Sequence, residues 1–215
     1  MPVSLKKGQG VSLKKAENDL SLVTIGLGWD IAEPPKSMLQ KIGLGSSKAT
    51  PKPVDYDLDV VAFVCGADGK VRDRGPKNDL VGSDVIFYNN LRHESGSIWL
   101  TGDNRDGSGD GDDEQIIVKL NDLPSSIQKI VFVVQIYHGR ENNQSFGQVN
   151  NAFIRAADAK GKEMVRFDLS DGEGYAEARS LHFAELVRTN SDWQFEAIGV
   201  PSPEDSFTHW LKAYL

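Results

Sequence analysis

The chain holds a single cysteine, Cys65, among 215 residues, which excludes an internal disulfide and any cysteine-cluster zinc site. Cys65 lies in the run VVAFVC, where a small thiol is expected to pack as a buried core group. No apolar run approaches the ~20 residues that a membrane-spanning helix needs. The opening MPVSLKKGQG lacks the apolar stretch of a signal peptide. A basic stripe is missing too: 24 Lys and Arg against 31 Asp and Glu leave a formal charge of −7, which argues against a nucleic-acid partner. Catalytic signatures are equally scarce. Gly107-Ser108-Gly109 is not a hydrolase elbow, and Gly43-Leu44-Gly45-Ser46-Ser47-Lys48 lacks the spacing of a P-loop. The expectation is a cytoplasmic globular protein that is not an enzyme.

What the chain does have is a period-2 rhythm rich in Val, Ile and Phe, broken by Gly- and Asp-containing turns. Strands are expected near 11–14, 20–28, 57–65, 84–88, 97–101, 115–120, 129–138, 148–157, 162–168, 179–188 and 193–199. Asp68-Gly69 and Lys160-Gly161 suit tight turns, where glycine tolerates positive φ. Helical signals are few. Leu123-Pro124 before SSIQK suits one short turn, and Ser202-Pro203-Glu204-Asp205 reads as an N-cap opening a helix through Leu215. Phe207, Trp210, Leu211 and Tyr214 would share one face of that helix and dock it onto a sheet. The fold class expected is all-β, an antiparallel β-sandwich with a few short helices and a C-terminal helix. One domain spans 1–215, with a Pro- and Ser-rich variable loop at 31–54. The four histidines, His93, His138, His182 and His209, show no ligand spacing and are expected at the surface or as caps.

The charge is concentrated in one place. Residues 103–114, DNRDGSGDGDDE, carry six acids and one Arg between two strand-like runs, so −5 of the −7 sits in one loop. Glycines at 107, 109 and 111 free the backbone to curl and turn carbonyl oxygens inward beside the carboxylates. Six crowded acids need a counter-charge, and Ca²⁺ takes six to eight oxygens at about 2.3–2.6 Å. Asp106, Ser108 and Asp110 match the front of an EF-hand loop, with Asp112 and Glu114 continuing the series. The twelfth position is Ile117 and the flanks are strands, so an EF-hand is rejected while a calcium loop of a β-protein stands. Asp55, Asp57 and Asp59 alternate along the next acidic element, which puts their carboxylates on one side of a strand. If the loop folds over the end of that strand, Asp57 and Asp59 complete an oxygen-rich pocket.

The string FYNNLRHESGSIWLTGDNRDGSGDGDDEQIIVKLNDLP resembles the hallmark of the TerD-domain family of tellurium-resistance and stress-response proteins. VSLKKGQGVSL, LGWD at 27–30, DLD at 57–59, QSFGQVNNAFIRA at 144–156, RFDLS at 166–170 and WQFEAIG extend it over essentially the whole chain. The resemblance implies a β-sandwich that binds two Ca²⁺ ions through Asp57, Asp59, Asp103, Asn104, Asp110, Asp112, Asp113 and Glu114. It also implies partners among other resistance proteins, in an assembly near the inner membrane. Family members usually place Thr where Asp106 stands and often Glu where Ser108 stands. The function expected is a calcium-binding stress-response module working through ion-dependent interactions. The alternative is a calcium-dependent membrane-surface module.

Overall fold

The computed structural model describes residues 2–31, 56–101, 112–169, 174–190 and 192–215. The Pro- and Ser-rich stretch and most of the acidic loop, including Asp55, Asp103, Asn104, Asp106, Ser108 and Asp110, lie outside the described residues. The strands are β1 (Val3–Leu5), β2 (Gly10–Leu13), β3 (Val23–Ile31), β4 (Leu58–Cys65), β5 (Val85–Ile86) and β6 (Ile98–Leu100). They continue with β7 (Glu114–Val118), β8 (Lys129–Ile136), β9 (Val149–Ala157), β10 (Glu163–Asp168), β11 (Ser180–Arg188) and β12 (Trp193–Ser202). A short helix, α1 (Phe207–Leu211), ends in a 3₁₀ turn over Lys212–Tyr214.

The strands form two six-stranded sheets, as the period-2 rhythm requires. One runs β1-β10-β9-β3-β7-β6, the other β2-β12-β11-β8-β4-β5. All pairings are antiparallel except β1 with β10, which is parallel, so the first sheet is mixed. Alternate residues of both sheets, among them Ile25, Leu27, Leu58, Val60, Ile116, Phe132 and Phe183, meet in one buried core. The turns at Gly69 (φ 74°) and Gly161 (φ 76°) adopt the positive φ that their sequences called for.

β4 departs from simple alternation, since every one of its residues is buried. Its second face, Val61, Phe63 and Cys65, packs with Val131 and Val133 of β8 beneath α1. Phe63 lies 5.6 Å from Tyr214 and Phe87 lies 5.3 Å from Phe207, ring centroid to centroid. Covered on both sides, the strand reads as a continuous apolar run. Burial there pushes the Cys65 thiol up to about 12, which makes it a core group rather than a reactive one.

The apolar face of the final helix docks as expected, with Phe207 and Leu211 buried. Its start differs. β12 runs on to Ser202, and the N-cap is Ser206, whose side chain accepts from the Thr208 N–H. Ser202 Oγ accepts only a local bond from Glu204 N at 3.2 Å. Around Pro124 the chain makes a simple turn, Ile127 N to Pro124 O at 3.0 Å, without helix. Among the described residues no helix is long and apolar enough to cross a membrane.

Candidate metal-binding site

Five of the candidate ligands are described: Asp57, Asp59, Asp112, Asp113 and Glu114. The last three end the acidic loop where β7 joins β3, and the ladder there assigns each a different direction. Glu114 is opposite Leu27 in register and shares its inward face. Its carboxylate Oε2 accepts from the Val60 N–H of the other sheet at 2.6 Å. The reason is local. β5 pairs only Ala62 and Phe63 of β4, so the Val60 N–H lies beyond its reach and needs another acceptor. Asp113 follows the β3 backbone, with its N–H donating to Leu27 O at 2.8 Å. Its Oδ2 accepts from Trp29 N at 2.9 Å.

Asp57 and Asp59 alternate with Leu58, a core residue, and so face away from the core as the sequence spacing requires. Asp59 is buried, and its Oδ2 accepts from Gln135 Nε2 at 2.9 Å, directly across the β4–β8 pair. Gln135 in turn accepts from Phe207 N at 2.6 Å, which ties Asp59 to the start of α1. Asp57 O accepts from Tyr137 N at 2.8 Å. The neighbouring Tyr56 is buried, with its hydroxyl donating to Gln148. The polar FGQV region is therefore a hydrogen-bonded loop that braces the entry to the DLD strand.

Asp112 is placed elsewhere. Its carboxylate lies over Gly26, on the face of the first sheet that points away from the core. A Cβ at Gly26 would lie 2.1 Å from the Asp112 Cγ, so only glycine leaves room. Arg155, opposite Gly26 in register, grips this carboxylate through Nε at 2.7 Å and Nη2 at 3.1 Å. Its Nη1 reaches Glu163 at 3.1 Å. These bonds to Asp112 and Glu163 hold the guanidinium pKa above its ordinary value. The Asp112 side chain is only 1% exposed. Glu114 reaches the Val60 N–H from the inward side and Asp59 bonds Gln135 on the face away from the core, whereas Asp112 sits on the outer face of the opposite sheet.

The donors near β4 are all carboxylate oxygens, the chemistry of a hard cation rather than of zinc or copper. Among the described residues no three His, Cys, Asp or Glu side chains gather as around a metal ion. The remaining candidates, in residues 102–111, lie outside the described residues.

Two groups carry structure that spacing alone does not reveal. In the sequence Arg155 is one of many polar residues, and only the β3–β9 register sets it against Gly26. His93 is buried rather than superficial. Its Nε2 contacts Asp84 Oδ1 at 3.0 Å and its Nδ1 contacts Ser95 Oγ at 2.9 Å. Asp84 also accepts from the N–H groups of Arg72 and Asp73. His182 is half-buried beside Glu185 at 3.2 Å, a second departure from the surface expectation.

Residues 1–211 match the TerD domain. The chain is 58% identical over 219 residues to the tellurium resistance protein TerX of Serratia marcescens, and the match spans 100% of both. It is 42% identical to the tellurium resistance protein TerD of the same organism, across 93% of this chain and 90% of that one. To the stress response protein SCP2 of Bacillus subtilis it is 38% identical over the full length of both. Among solved structures, a homologue of the telluride resistance protein TerD from Streptomyces coelicolor superposes with a TM-score of 0.58 at 22% identity. That match covers 87% of this chain and 94% of the other. It supports the fold alone.

Proposed function

This chain belongs to the TerD-domain family, and from that premise we propose that it is a calcium-binding, non-catalytic module of tellurium-resistance and stress-response systems. It would act through ion-dependent contacts with other resistance proteins. The observation that carries the reading is the burial of Glu114 and Asp59 against one segment of β4, where the acidic loop ends. Buried carboxylates are costly unless hydrogen bonds or a counter-charge meet them, and three further acids, Asp103, Asp106 and Asp110, precede Glu114 closely in the chain.

Asp57 and Asp59 on the β4 side and Asp113 and Glu114 at the end of the loop would each contribute oxygens, with most of the coordination supplied by Asp103, Asn104, Asp106, Ser108 and Asp110 for one ion and for a second. Bound calcium supplies the positive charge that lets these carboxylates sit together. The chain's own residues do the positioning. Val60 anchors Glu114, Gln135 orients Asp59, and the Trp29 N–H steers Asp113. Asp112, gripped by Arg155, acts in this reading as the loop's anchor rather than as a ligand.

Calorimetric titration of Ca²⁺ and Mg²⁺ into wild type, Asp59→Asn, Asp110→Asn and Asp112→Asn tests the proposal. Saturable Ca²⁺ heat is expected, with a stability gain of about 2.7 kcal/mol at a hundredfold excess over Kd. Asp59→Asn and Asp110→Asn should weaken binding by about tenfold or more, and Asp112→Asn by less than about threefold. Absence of both heat and a Ca²⁺-dependent melting shift would overturn it. Co-sedimentation with anionic vesicles that a chelator abolishes would shift the reading to the membrane-surface module.

A further inference from the structure

A groove of about 690 Å³ opens beside the C-terminal helix, between the turn at Asp79–Val81, the turn at Phe87–Asn89, the pair Tyr137–His138 and the residues Asp205–Thr208. We propose that it binds a basic segment of a partner protein, with an Arg or Lys side chain entering beside Tyr88 and Tyr137. None of its lining residues is a candidate calcium ligand, so this inference stands apart from the calcium reading.

Charge is the first argument. Among the described residues the lining contains two acids, Asp79 and Asp205, and no Lys or Arg. The nearby Arg140 pairs with Glu204 at 3.0 Å and donates its backbone N–H to Asp205 at 2.9 Å, and the His138 ring contacts Glu141 at 2.8 Å.

Aromatic chemistry is the second. Phe87, Tyr88 and Tyr137 form a chain of edge-to-face contacts, with centroids 5.2 and 5.7 Å apart. Tyr88 and Tyr137 nevertheless remain 38% and 39% exposed. Ring faces beside carboxylates attract guanidinium and ammonium groups.

Size and backbone complete the case. The groove is many times the roughly 30 Å³ share of one water, far more than a lone cation fills. Exposed Val81 on its rim offers apolar contact to residues flanking the basic side chain. Leu80 (φ 68°) and His138 (φ 52°), both lining it, are held in the left-handed region that such side chains rarely adopt.

The test is an NMR titration of the ¹⁵N-labelled chain with the peptide Gly-Leu-Arg-Val-Lys-Gly, its analogue with Glu replacing Arg and Lys, and N-acetyl-arginine amide. The basic peptide should shift resonances of the groove residues saturably, and the acidic peptide should not. Tyr88→Ala with Tyr137→Ala should weaken binding about tenfold, and adding salt should weaken it further. Asp79→Lys with Asp205→Lys should reverse the preference between the two peptides, which keeps the test decisive if the tyrosine variant unfolds. The proposal fails if the basic peptide leaves the groove resonances unmoved or the acidic one binds equally. It also fails if the arginine amide alone binds as tightly as the peptide, because the groove would then be a small-cation site.

Discussion

Glu114 and Asp112 stand two residues apart at the end of the acidic loop, and both carboxylates are withdrawn from water, yet the fold accommodates them by different means. Glu114 turns inward between the sheets and meets a backbone N–H of β4. Asp112 turns outward over Gly26 and meets a guanidinium in a two-bonded grip. A backbone N–H is a dipole without net charge, whereas the Arg155 grip brings a full charge of opposite sign to Asp112 and leaves little for a cation to add. One short segment therefore ties itself to the second sheet with a hydrogen bond and to the first with an ion pair.

The contrast can be broken at either end. The largest effect is expected from Glu114→Ala, which strands the Val60 N–H and opens a void between the sheets, at about 3 kcal/mol by urea unfolding. A loss below about 1 kcal/mol would mean that this carboxylate does not join the sheets. Next comes Arg155→Gln, at about 2 kcal/mol, since Asp112 would stay buried without its partner. Pairing it with Asp112→Asn should recover about half of that loss, and additive losses in the double-mutant cycle would refute the coupling.

Gly26→Ala is a subtler probe, because its Cβ would displace the Asp112 carboxylate without touching either charge. We expect about 1–2 kcal/mol, together with weaker salt dependence of stability, as for Arg155→Gln.

The smallest effect concerns Asp84, a carboxylate that uses both means at once. Burial pushes its pKa up, but the His93 ring and the N–H groups of Asp73 and Arg72 outweigh burial and hold it below the ordinary 3.8. Its contribution is therefore present above pH 3.8 and is lost as pH falls through the lower folded value. Asp84→Asn should flatten the acid limb of the melting curve, and an unchanged limb would contradict this assignment.

Much of the fold is legible in the residue order. The strands, the turns at Gly69 and Gly161 and the docking face of α1 arise from periodicities that act within a few residues. The alternation of Asp57 and Asp59 is of the same kind, and so is the concentration of charge in 103–114. Several of the features that depart from expectation depend on how separate segments pair. The helix opens at Ser206 rather than Ser202 because β11 keeps β12 paired as far as Ser202. His93 is buried because Asp84 comes to it across a turn.

The residue order by itself determined that acids and glycines crowd one stretch between two strands, because composition and alternation are local properties of a chain. Only the tertiary structure decided which way each acid faces. Asp112 is 43 residues from Arg155, and Glu114 is 54 from Val60. Those pairs exist only once two sheets are stacked in register. The same stacking buries both faces of β4 and brings Tyr88 against Tyr137 beside α1, since burial and charge pairing are set by the groups packed opposite a residue rather than by its neighbours along the chain.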